Sequence, residues 1–170
     1  SDFRRRDFTI NCLAIPLAPA FGDRLIDPCG GLADLLAGRL RTLHRDSFRD
    51  DPTRLLRAVE LEGRFGFAIA EETLAEAGRA GASGDIGALS GARLREALKR
   101  AFGRPATAAR VLRRLSDLHW LEAIDAGLTL GGGVQERLES ALTELGELPV
   151  DGRGVPSAET FRLALLCLAF

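Results

Sequence analysis

The residues of this 170-residue chain best placed to do chemistry are Asp51, Arg54 and Arg57, which recur at every third position. A helix would carry all three on one face, because side chains three apart are neighbours there. An ionised carboxylate only accepts hydrogen bonds and a guanidinium only donates them. Set side by side, Asp51 and Arg54 offer an acceptor next to a donor. Cytosine and adenine present the complement, an exocyclic amino donor beside a ring-nitrogen acceptor. Uracil and guanine present the opposite order. Such a pair can choose C and A over U and G without a nucleic-acid template. Arg57, one turn further along the same face, can fork onto a polyphosphate through charge-assisted bonds. The blander alternative for Asp51 is local: an acid heading a helix whose first residue is Pro52, plus a surface ion pair.

That face needs a helix. Ser47 followed by Asp50 three residues later matches a capping box and predicts one running towards Phe65 and stopping near Gly66. Pro52 either removes one backbone bond inside it or restarts it with Asp51 as the cap. Leu55, Leu56 and Val59 fall on the opposite side and predict a core. Before residue 45, segments 12–17, 24–26 and 40–43 read as strands, with a turn at 19–22 and a short helix 32–36 ended by Gly38. Beyond it, helices are predicted at 71–79, 91–102, 106–118, 135–145 and from 157 onward. Their joints are glycine pairs and runs at 81–84 and 131–133.

Three motifs follow one another along the first third: Arg5-Arg6-Asp7-Phe8-Thr9-Ile10-Asn11, then Asp27-Pro28-Cys29-Gly30-Gly31, then Asp50-Asp51-Pro52-Thr53-Arg54 with Leu55-Leu56-Arg57-Ala58-Val59 after it. In this order they resemble the middle of a class II nucleotidyltransferase, the family of bacterial CCA-adding enzymes and bacterial poly(A) polymerases. The resemblance covers residues 4–70 well and extends more loosely to 126. It implies a mainly α fold with a small α/β remnant. Residues 1–44 would be the C-terminal edge of a nucleotidyltransferase head. Residues 45–103 would be a helical neck that recognises the base, and 104–170 the start of a helical, tRNA-binding body.

The resemblance also carries roles onto residues. Asp51 and Arg54 match the base-reading pair, and Arg57 the arginine that meets the triphosphate. Arg6 matches a nucleotide-binding arginine, and Asp7 the acid that contacts ribose hydroxyls, which would favour ribonucleotides. Thr9 and Asn11 would position the motif, and residues 27–31 would form a turn that also serves as a hinge. Family enzymes usually carry another arginine three residues after Arg57, where this chain has Glu60. Leu89-Ser90-Gly91-Ala92-Arg93-Leu94-Arg95-Glu96-Ala97-Leu98 resembles a bracing motif of the neck, with Ala97 in place of the usual acid.

The activity so implied is template-independent addition of C and/or A from CTP and ATP to a tRNA 3′ end, releasing pyrophosphate. The RNA 3′-hydroxyl would attack the α-phosphate in line, with two divalent ions, Mg²⁺, assisting. The Gly-Ser and Asp-x-Asp segment that holds them is expected upstream of Arg5, so no residue here is assigned to metal or to catalysis. Alone, the chain is expected to bind nucleotide weakly and catalyse nothing. Full CCA addition, C-only or A-only addition and poly(A) synthesis share these motifs. A non-catalytic RNA-binding helical module is the reading of another class.

Composition sets outer bounds. A chain 46% hydrophobic and 28% charged is an ordinary globular one, not a disordered one. Its net charge of −1 is unevenly spread: residues 93–114 hold eight basic side chains against one acid. Arg93, Lys99, Arg100, Arg104, Arg110, Arg113 and Arg114 are therefore candidates for an RNA backbone. Solvated helix faces with charges paired across the fold would explain the same run. Cys12, Cys29 and Cys167 are odd in number and scattered, which speaks against a disulfide framework or zinc site and for a cytoplasmic setting. His44 and His119 lack ligand-spaced partners. The apolar stretch 163–170 is far short of a bilayer crossing, so no membrane partner is expected.

Overall fold

The computed structural model describes residues 2–17 and 24–126, with isolated positions 133, 136 and 140. The turn expected at 19–22, the helix at 135–145 apart from positions 136 and 140, the helix from 157, and all but Gly133 of the 131–133 joint lie outside them.

The centre of the fold is α3 (Thr53–Phe65), which buries Leu55, Leu56, Ala58, Val59 and Leu61 on one side. It ends at Gly66, whose left-handed backbone (φ 68°) lets its N–H close on the Glu62 carbonyl at 2.9 Å. The helix does not run unbroken from Ser47. A single turn, α2 (Ser47–Asp50), is followed by Asp51 in extended conformation. Proline disfavours a helical residue before it and clashes with the carbonyl four residues back, so Pro52 forces the restart. The Asp51 carboxylate then accepts the Thr53 amide at 3.1 Å. The capping box expected at Ser47 is not made: α2 has no side-chain cap, and Ser47 is fully buried. Its hydroxyl instead accepts from Arg54 at 2.6 Å.

Helices α5 (Gly91–Ala101) and α6 (Pro105–Asp117) pack against α3, while α7 (Trp120–Ile124) closes against α6 and α4 (Glu71–Ser83). Phe48, Leu55, Leu56, Phe102, Leu112, Leu115 and Leu121 fill the space between them. Ser90 caps α5 by accepting the Arg93 amide at 3.4 Å. Among the described residues no helix is long and apolar enough to cross a membrane.

The β content is small. β1 (Arg39–Leu40) pairs in parallel with β2 (Ala68–Ile69), Arg39 opposite Ala68 and Leu40 opposite Ile69. No strand is predicted at β2, because two residues cannot display an alternating pattern; it forms where the end of α3 delivers it beside β1. The predicted strand 40–43 is correspondingly split, with Thr42 making only a single antiparallel bridge to Phe8. Segments 12–17 and 24–26 reduce to one antiparallel bridge, Ala14 with Ile26, bonded in both directions at 3.1 and 2.8 Å. Cys12 belongs to a 3₁₀ turn, Thr9–Cys12, that closes on Phe8. Helix α1 (Gly31–Leu36) rests on that turn. The fold is thus mainly helical with a small α/β portion, as the sequence predicts.

Candidate functional site: an arginine-lined cleft

The first motif is fixed by polar contacts. Asp7 Oδ1 accepts from the Phe8 amide at 2.8 Å and from Asn11 Nδ2 at 2.6 Å. Thr9 Oγ1 donates to the buried Asp34 at 2.7 Å, and Asp34 also takes Arg41 Nε at 3.1 Å. Arg41 is bonded on its far side to Glu72 of α4. Gly31 is required here by proximity: a Cβ on it would sit 2.1 Å from the Thr9 carbonyl oxygen. Asp27 accepts the amides of Gly31, Leu32 and Cys29 at 2.7, 3.0 and 3.3 Å, a turn that also caps α1. Those backbone donors, Leu32 first among them, hold its carboxyl below the usual range. Burial, aided by the neighbouring Cys29, pushes the Cys12 thiol up to about 11.

Between this motif and α3 opens a cleft of about 600 Å³. Arg5, Arg6, Asp7 and Asn11 line it from the motif; Asp51, Thr53, Arg54, Arg57 and Glu60 from the start and one face of α3; Ala97 and Arg100 from α5. All the nucleotide-binding candidates, Arg6, Asp7, Asp51, Arg54 and Arg57, therefore open on one cavity. Their mutual geometry is more constrained than the spacing alone suggests. Asp51 Oδ1 accepts from the amide and hydroxyl of Thr53 (3.1 and 2.7 Å) and from Arg93 Nη2 (3.1 Å). Its Oδ2 has no hydrogen-bond partner among the described residues. Arg54 Nη1 donates to the Ser47 carbonyl (3.2 Å) and hydroxyl (2.6 Å), and Nη2 to the Arg5 carbonyl (3.1 Å). This anchors the guanidinium while leaving Nε–H and one Nη2–H for a ligand.

Arg57 lies between two acids, Asp7 Oδ2 at 3.5 Å from its Nε and Glu60 Oε2 at 2.8 Å from its Nη1. Burial alone would lower its pKa, but Glu60 and then Asp7 outweigh it and raise the guanidinium above the usual arginine range. Glu60 is itself buried.

The seven basic candidates between 93 and 114 do not act as one row. Arg100 faces the cleft and Arg93 reaches Asp51. Arg114 is turned inward onto Glu62 of α3 at 2.8 Å, and Lys99 pairs with Glu96 at 2.9 Å. Arg104, Arg110 and Arg113 are exposed, Arg104 at the start of α6. Sequence reasoning missed Ser47 and the Arg5 carbonyl as the anchors of Arg54, and Arg93 as a partner of Asp51. The Arg5 carbonyl leaves no sequence signal, since it lies far from Arg54 along the chain, and Ser47, though only one α2 turn and a proline away, is spaced from Asp50 as a helix cap instead. Arg93 could have been found, because its helix begins in the bracing motif. Among the described residues no group of three or more His, Cys, Asp or Glu is disposed to hold a metal ion.

Known proteins resemble the chain in both sequence and fold. The family model described as the poly A polymerase head domain matches residues 1–41. An A-adding tRNA nucleotidyltransferase of Halalkalibacterium halodurans is 50% identical over 72 residues, 42% of this chain and 17% of that protein. A multifunctional CCA protein of Stenotrophomonas maltophilia is 38% identical over 141 residues, 81% of this chain and 34% of that one. The solved Thermotoga maritima CCA-adding enzyme, in complex with tRNA, superimposes with a TM-score of 0.84 at 32% identity over 98% of this chain. The chain spans only 40% of that protein.

Proposed function

We propose that the chain is part of a CCA-adding tRNA nucleotidyltransferase, and that its cleft selects the nucleotide in template-independent addition of C and A to a tRNA 3′ end. The observation that carries this reading is the convergence of Asp51, Arg54, Arg57, Arg6 and Asp7 on a single cavity. Asp51 Oδ2 accepts the amino group of cytosine or adenine, and the spare N–H groups of Arg54 donate to the adjacent ring nitrogen. Arg57, Arg6 and Arg100 supply positive charge for the triphosphate of CTP or ATP. The Asp7 carboxylate, held by Phe8 and Asn11, accepts from a ribose hydroxyl of the bound nucleotide. The RNA 3′-hydroxyl attacks the α-phosphate in line and pyrophosphate leaves. Lys99, Arg104, Arg110 and Arg113 offer the approaching RNA backbone its counter-charge. The family's divalent metal, which we take to be magnesium, falls to carboxylates other than those of this cleft.

The test uses the full-length protein, all four nucleoside triphosphates and tRNA ending before, within or after its C-C tail. Asp51→Ala is expected to reduce the preference for C and A over U and G by about tenfold or more, since one well-placed pair discriminates by ~1–3 kcal/mol. Arg57→Ala should weaken all four nucleotides alike. An Asp51→Ala enzyme that loses every nucleotide equally would sink the base-reading role.

A further inference from the structure

Five arginines face the cleft, Arg5, Arg6, Arg54, Arg57 and Arg100, and three acids stand among them, Asp7, Asp51 and Glu60. Two of the acids secure nearby chain. Asp7 holds the Phe8 amide and Asn11, and Asp51 holds the first amide of α3. Glu60 secures none. It lies within α3, where backbone groups are already paired, and among the described residues the one side-chain hydrogen bond it makes comes from Arg57 at 2.8 Å. Its side chain is just 9% exposed, an expensive place for a carboxylate unless a cation stays beside it. Asp7 faces Arg57 Nε and Glu60 takes Nη1, so acids stand beside two of the three guanidinium nitrogens.

We propose that Glu60 is a built-in competitor for the polyphosphate, a buried carboxylate that holds the donor edge of Arg57 which an incoming triphosphate would take. The proposal rests on the nucleotide-site reading above. Its consequence is that this chain grips triphosphates weakly through Arg57, and nucleotide choice depends more heavily on the base-reading pair. Glu60 acts through Arg57, so it is a positioning residue; it does not touch the reacting atoms.

Binding of ATP, CTP, adenosine and inorganic tripolyphosphate to the full-length protein separates the possibilities. Glu60→Gln keeps the volume and one acceptor oxygen but removes the charge. It should bind ATP, CTP and tripolyphosphate about five- to tenfold more tightly, up to ~1.4 kcal/mol, and leave adenosine unchanged. In turnover the gain should appear in KM, with kcat held. Glu60→Met, uncharged and of similar size, should show the same order of effects and serves if the glutamine variant does not fold. Unchanged triphosphate affinity in these variants, while Arg57→Ala binds more weakly, overturns the competitor role and leaves the nucleotide site standing. A parallel gain for adenosine also overturns it, since that marks a reshaped base pocket. If Arg57→Ala binds triphosphates as the parent does, the nucleotide-site reading itself fails.

Discussion

The part of the molecule before residue 45 and the part after it are held together by different physics. In the first, carboxylates do the holding. Asp7, Asp27 and Asp34 each gather amides, hydroxyls or a guanidinium from nearby chain, while large apolar side chains stay in solvent, Leu17 at 99% and Leu36 at 81% exposure. In the second, apolar packing does it: among the described residues after position 44, Phe65 is the only large hydrophobic left exposed. Hydrogen bonds fix direction, and packing fixes distance. The cleft lies on the seam, so its arginines inherit orientation from one side and spacing from the other.

The difference can be broken or sharpened by substitution. The largest effect is expected in the packed part: Leu55→Ala should cost about 2–5 kcal/mol in urea unfolding, against about 0.5 kcal/mol or less for Leu36→Ser. Equal costs would erase the contrast. Glycine replacements should differ even in sign. Gly31→Ala forces a methyl against the Thr9 carbonyl and should destabilise by about 1–3 kcal/mol. Gly78→Ala, on the open face of α4 with nothing within 4 Å, should stabilise by about 0.5–1 kcal/mol. The smallest effect concerns acid. The Asp27 carboxyl titrates below its ordinary value of 3.8 in the folded chain. A depressed value means its contribution is complete above pH 3.8 and lost as the pH falls through the folded value. The Tm difference between the parent and Asp27→Asn should therefore be constant near neutrality and shrink below pH 3.8. A difference that persists in stronger acid would remove Asp27 from the account of how the turn is held.

Much of the packed part could be read in the sequence, because periodicity is a local signal. Leu55, Leu56 and Val59 mark one side of α3, and the glycine after Phe65 marks its end, before any contact is known. The cleft was partly legible for the same reason: a repeat of three placed Asp51, Arg54 and Arg57 on one face. Glu60 continues that repeat, and its pairing with Arg57 follows from it. What escaped was what no local repeat encodes. Ser47 matches a capping box, yet it is drawn inside to meet Arg54, since Pro52 breaks the helix the box would have begun. β2 has too few residues to carry a pattern. The basic run from 93 to 114 reads as one surface, but helix rotation divides it, sending Arg93 to Asp51, Arg100 to the cleft and Arg114 to Glu62.

The two-residue parallel ladder between Arg39–Leu40 and Ala68–Ile69 bears on the order of assembly. So short a pairing, between segments separated by all of α2 and α3, cannot offset the chain entropy lost in bringing its ends together. It becomes favourable only once α3 has formed and turned at Gly66, which places the clasp among the last steps of folding. A chain arrested earlier would have its helix but not the latch that holds the helix to the arginine-bearing motif.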